Sequence, residues 1–111
     1  MGKQKAGAGD SWDISERHFR QQVLDLARML GWHCYFSWTS LHSPKGYPDL
    51  TLCQSNGDGT ASLCFLELKS ETGKCTPEQR EWLDILGKVP GVIAKCVYPS
   101  DWDEIVLLLK G

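Results

Sequence analysis

The sequence predicts an α/β domain in which a mixed four-stranded sheet is flanked by helices, in the order α-β-β-β-α-β-α. Three observations carry that expectation. Two segments place apolar residues at helical spacing, and each opens on a polar capping residue and closes on glycine. Three short aromatic or β-branched runs lie between them, separated only by turn residues. After the second helix comes one more such run, which must return across the sheet and lie parallel to a neighbour.

Residues 1–11 (MGKQKAGAGDS) are polar and glycine-rich and read as a flexible tail, leaving 12–111 as a single domain. A first helix is expected from Asp13, with Glu16 three residues on at capping-box spacing. Its apolar stripe is Phe19, Val23, Leu26, Ala27 and Leu30, and Gly31 stands at the position after the cap. His33–Trp38 (HCYFSW) is a strand, and the serine, proline and glycine of 39–47 make a loop. Asp49–Cys53 is a second strand, and SNGDGT (55–60) is a turn that leads into a third strand, Leu63–Lys69. Thr76 caps a second helix, with Pro77 at its favoured first position and Gln79 completing another capping box. Trp82, Leu83 and Leu86 form its stripe and Gly87 closes it. Val92–Tyr98 is the fourth strand, and Ser100 is expected to cap a last helix that carries Asp101, Asp103 and Glu104 in its first turn.

Composition narrows the function. With 41% hydrophobic and 23% charged residues, the chain resembles ordinary globular domains. No apolar run approaches the roughly 20 residues of a membrane span, and no signal core opens the sequence, so a cytoplasmic protein without a membrane partner is expected. The five cysteines are odd in number and lack a CxxC pair, which points to packing rather than to disulfides or zinc. A net charge of −2 argues against indiscriminate nucleic-acid binding. Acids gathered around a divalent ion weaken that objection. Lys3, Lys5, Arg17, Arg20, Lys45, Lys74 and Arg80 supply material for a local basic rim.

The third strand carries the chemistry. Side chains alternate along a strand, so Glu67 and Lys69 emerge on one face about 7 Å apart, beyond Leu63 and Phe65 on that same face. If the SNGDGT turn pairs the second and third strands, Asp49 approaches Glu67. Two converging carboxylates form a hard oxygen site suited to Mg²⁺ or Mn²⁺. Such an ion can activate water and bind phosphate, with Lys69 placed to orient the nucleophile and offset charge. Taken alone, a Glu-x-Lys on a strand is a common surface pair. Glu16 and Gln79 strengthen the case, because each projects from the apolar side of its helix, although each also reads as a capping residue.

Gly46-Tyr47-Pro48-Asp49-Leu50, Phe65-Leu66-Glu67-Leu68-Lys69 and Thr76-Pro77-Glu78-Gln79-Arg80-Glu81-Trp82-Leu83, in that order, resemble the VRR-NUC branch of the PD-(D/E)xK nucleases. The resemblance extends over roughly residues 14–109. It implies a restriction-endonuclease-like core and a metal-dependent DNA endonuclease. The metal ligands it implies are Asp49, Glu67 and the backbone carbonyl of Leu68. Lys69 is implied in catalysis, and Glu16 (in part through water) and Gln79 complete the site. Relatives act on DNA, including branched DNA, and some are small phage proteins, which would place this one in the host cytoplasm. A resemblance to Holliday junction resolvases in size implies four-way junctions or flaps as substrate and a twofold homodimer, since two symmetric cuts need two sites. The alternative is a non-catalytic DNA-binding or assembly module that keeps the nuclease fold. Structural or surface roles are expected for His18, His33 and His42, with His42 the nearest of the three to a substrate role; Ser40, Ser43 and Lys45 share its loop and are candidates for phosphate contact, and Trp38 for base stacking.

Overall fold

The computed structural model describes residues 15–36 and 45–111. Three helices, α1 (Glu16–Met29), α2 (Pro77–Leu86) and α3 (Trp102–Lys110), enclose four strands, β1 (His33–Phe36), β2 (Leu50–Ser55), β3 (Ala61–Leu68) and β4 (Val92–Val97). The strands lie side by side in sequence order. β1, β2 and β3 form an antiparallel meander, and the crossover through α2 sets β4 parallel to β3. This is the mixed sheet and element order that the sequence predicts. The expected N-terminal tail and most of the 39–47 loop, with Trp38, Ser40, His42 and Ser43, lie outside the described residues.

Alternation along β3 sorts the two faces. Cys64, Leu66 and Leu68 join Leu50 and Leu52 of β2 and Val97 of β4 in a core covered by Phe19, Val23, Leu24 and Ala27 of α1 and Ile105 and Leu109 of α3. Every one of these residues is buried, and Trp32 anchors the layer by donating its indole N–H to the Leu109 carbonyl at 2.9 Å. The other face carries Phe65 and Glu67 under α2, where Leu83 is buried and Tyr47 lies edge-on to both Phe65 and Trp82. A three-layer α/β/α arrangement results, with all of the largest apolar burial on the α1/α3 side.

Three expectations need correction. The N-cap of α1 is Ser15, whose hydroxyl accepts from His18 N–H at 3.0 Å, so Glu16 is the first helical residue rather than the third member of a box on Asp13. Leu24, not Leu26, is the fully buried leucine of its stripe, because the core wraps toward that side of the helix. Ser100 does not cap α3. A short 3₁₀ turn (Pro99–Asp101) intervenes, and Ser100 instead donates its N–H and hydroxyl to the Glu71 carboxylate, at 3.0 and 2.6 Å. The end of α1 is as expected. Gly31 takes a φ of 92°, its N–H donates to Arg28, and Trp32 N–H donates to Ala27, which is the paired-bond pattern of a Schellman cap.

Candidate active site

The strand register decides where the acids stand. Leu50 faces Leu66, so one residue further Asp49 faces Glu67 across the meander. Lys69 N–H donates to Val97 on the β4 side, so the preceding Leu68 N–H turns toward β2, and there it meets the Asp49 carboxylate at 2.9 Å. Asp49 and Glu67 therefore form the narrow, non-hydrogen-bonded kind of cross-strand pair, in which side chains come closest. Like charges in that position repel.

Each polar group around Glu67 has a traceable origin. The residue is only 2% exposed. Its Oε2 accepts from the Gln79 side-chain amide at 2.9 Å and lies 3.6 Å from the Lys69 ammonium. Its Oε1 is buried and has no hydrogen-bond partner among the described residues. Burial first, and then the adjacent Asp49 charge, push the Glu67 carboxyl up to about 8, with Lys69 opposing the shift. Asp49 is close enough for the two carboxyls to share a proton. A buried acid left with a bare oxygen beside a second carboxylate is a costly arrangement unless a cation joins it.

Gln79 reaches the pair because α2 begins where it does. Thr76 Oγ accepts from Gln79 N–H at 3.1 Å, and the Gln79 side-chain carbonyl accepts from Thr76 N–H at 2.9 Å. This complete capping box leaves the amide NH₂ to point at Glu67, so capping and site roles coexist in one side chain. Glu16 stands differently. It is exposed in the first turn of α1, and among the described residues no hydrogen bond or ion pair joins it to the carboxylates.

The loop that delivers Asp49 is held on α2. Gly46 adopts a φ of 89° and packs so closely that a Cβ there would come within 2.6 Å of the Glu78 backbone. Trp82 donates its indole N–H to the Lys45 carbonyl at 3.2 Å, and the Lys45 ammonium lies 3.7 Å from Glu78. Pro48 then has a consequence that register alone reveals. It stands opposite Leu68, where the ladder would require an N–H from residue 48 to reach the Leu68 carbonyl. Proline has no such N–H. The Leu68 carbonyl, on the same lateral side of the strand as its N–H and hence on the Asp49 side, is left without a ladder donor from β2.

These donors fit a hard divalent ion. Two carboxylates and a backbone carbonyl offer oxygen only, and among the described residues no group of three or more His, Cys, Asp or Glu side chains gathers. An ion that keeps several waters or takes phosphate oxygens needs no more from the protein. Sequence reasoning treated the cysteines as packing residues and missed that two of them border the site. Cys96 faces Glu67 across the β3–β4 ladder, and Cys75 lies beside Cys96 just before the Thr76 cap. Burial, together with the neighbouring Cys96 thiol, pushes Cys75 up to about 12 and so keeps it a neutral thiol. The only hint in the sequence was the position of Cys75 next to the capping motif.

No curated protein and no solved structure matches the chain. The VRR-NUC domain model matches residues 11–98, a span that holds the Asp49 loop, the Glu67–Lys69 strand and the Gln79 helix alike. Over most of its length, therefore, the chain belongs to the VRR-NUC family of nuclease domains.

Proposed function

We propose that the protein is a Mg²⁺- or Mn²⁺-dependent endonuclease that hydrolyses phosphodiester bonds in DNA, with four-way junctions or flaps as its preferred substrates. The observation that carries this reading is the Asp49–Glu67 pair, in which the buried Glu67 has a bare Oε1 among the described residues and holds its other oxygen, Oε2, 3.6 Å from the Lys69 ammonium. Asp49, Glu67 and the Leu68 carbonyl would hold the ion. When bound, it supplies a lowered pKa for water and positive charge for phosphate oxygens.

The protein's own groups do the rest. Gln79 engages Glu67 Oε2 and so turns the remaining carboxylate oxygen toward the ion-binding side. Lys69 is largely buried, with 14% of its side chain exposed, and its ammonium donates hydrogen bonds to the attacking water and to a phosphate oxygen, where charge develops. Asp49 is tied to the strand backbone by Leu68 N–H, which fixes the geometry before substrate arrives. Glu16, at the mouth of α1, would act through water. Cutting both strands of a junction symmetrically calls for a homodimer.

The test is purified protein incubated with a four-way junction, a flap and a linear duplex, in Mn²⁺, in Mg²⁺ and in EDTA. Cleavage that requires the metal and disappears in Asp49→Ala is expected. Absence of metal-dependent cleavage on all three substrates, or cleavage that survives Asp49→Ala, overturns the proposal.

A further inference from the structure

A second feature opens at the same end of the sheet as the carboxylates. A cleft of about 520 Å³ is lined by Ser15, Arg17, His18, Arg20, Gln21 and Phe36. Among the described residues, every ionisable side chain on that lining is basic. The Arg20 guanidinium lies 5.7 Å above the Phe36 ring, an arrangement that holds a flexible cation in one place. Arg17 is exposed, and among the described residues neither arginine is paired with an acid. The first turn of α1 adds its own partial positive charge, with Glu16 as the one acid in that turn.

Register relates this cleft to the site. Phe36 pairs with Leu50, the residue after Asp49, and Leu50 pairs with Leu66, the residue before Glu67. Phe36 therefore stands two strand spacings, about 10 Å, from Leu66 in its own row, and Glu67 is the next residue along β3. The cleft opens beside α1 and the carboxylates lie on the α2 side, with the end of the sheet between them.

We propose that this cleft is a flanking phosphate site: Arg17 and Arg20, aided by His18, grip the DNA backbone to one side of the bond cut at Asp49 and Glu67. The proposal rests on the nuclease reading above and adds the path of the strand, across the end of the sheet from the α1 side to the α2 side. Guanidinium groups suit this role because their planar donors match phosphate oxygens in pairs. A domain with a net charge of −2 needs such a local basic surface to bind a polyanion at all.

The experiment measures binding of labelled junction and duplex DNA in EDTA across a range of NaCl concentrations. Arg17→Ala/Arg20→Ala is expected to bind both DNAs roughly tenfold more weakly and to lower the slope of log affinity against log salt by about 1.8. Mn²⁺ binding and thermal midpoint should match those of the parent, and Arg17→Lys/Arg20→Lys should recover most of the salt slope. Arg17→Ala alone, at an exposed position, should lower the slope by about 0.9 without touching the Phe36 contact. Parent-like affinity and slope in the double variant overturn the flanking site while leaving the nuclease reading intact. Displacement of DNA from the parent by inorganic phosphate at matched ionic strength, lost in the double variant, marks a free-phosphate site and overturns it too. If the parent binds neither DNA, the nuclease reading falls and this inference with it.

Discussion

The two faces of β3 are built from alternate residues of one eight-residue strand and serve opposite ends. On one face Cys64, Leu66 and Leu68 vanish into a core shared by α1 and α3. On the other, Phe65 begins as a core residue, but Glu67 follows, still more deeply buried and with one oxygen unpartnered among the described residues. Stability is concentrated on the first face and unresolved charge on the second. The comparison teaches that a strand can carry both because alternation keeps them apart by the thickness of the sheet. Substitutions on the two sides should therefore fail in different ways.

The largest expected effect belongs to the charged side. Lys69→Met should lower the cleavage rate about 10²–10³-fold, the scale of losing a donor aimed at developing charge. Mn²⁺ affinity by calorimetry and the far-ultraviolet circular dichroism spectrum should stay close to the parent's, and a stability loss as large as the rate loss would dissolve the contrast between faces. Next comes the apolar side. Leu66→Ala empties a fully buried position and should cost about 2–5 kcal/mol in chemical denaturation. Whatever native fraction remains should still bind Mn²⁺.

A smaller and subtler effect sharpens the comparison through pH. In the unfolded chain Glu67 titrates near 4.5, and in the metal-free fold near 8. Between those values the folded chain keeps a proton that the unfolded chain has released. The stability due to Glu67 is thus complete below about 4.5 and is lost as pH rises through about 8. In EDTA the thermal midpoint should fall from pH 5 to pH 9, Glu67→Gln should flatten that fall by roughly 5 °C, and saturating Mn²⁺ should offset it in the parent only. A Glu67→Gln variant with the parent's pH profile would mean the carboxyl is not under strain.

Much of this was legible in the sequence because its causes are local. The SNGDGT turn predicts the β2–β3 pairing, the pairing predicts that Asp49 meets Glu67, and the Thr76 cap places Gln79. What escaped depends on contacts between distant parts of the chain. Ser100 reads as a helix cap until Glu71, 29 residues away, takes its donors. Leu24 outranks Leu26 only once α1 is seated on the sheet. The missing donor opposite Leu68 requires the strand register, which no motif displays. Gly46 reads as a loop glycine, whereas in the fold it lies pressed against the Glu78 backbone.

That last contact has a thermodynamic consequence. Because the peptide at Gly46 has no room to spare against α2, and Trp82 and Glu78 both hold Lys45, the Asp49 loop and the first turns of α2 belong to one opening unit. Amide exchange in the two segments would then share a single free energy of opening, and a fluctuation that unlatches the helix would dismantle both sides of the carboxylate pair at once instead of fraying either alone.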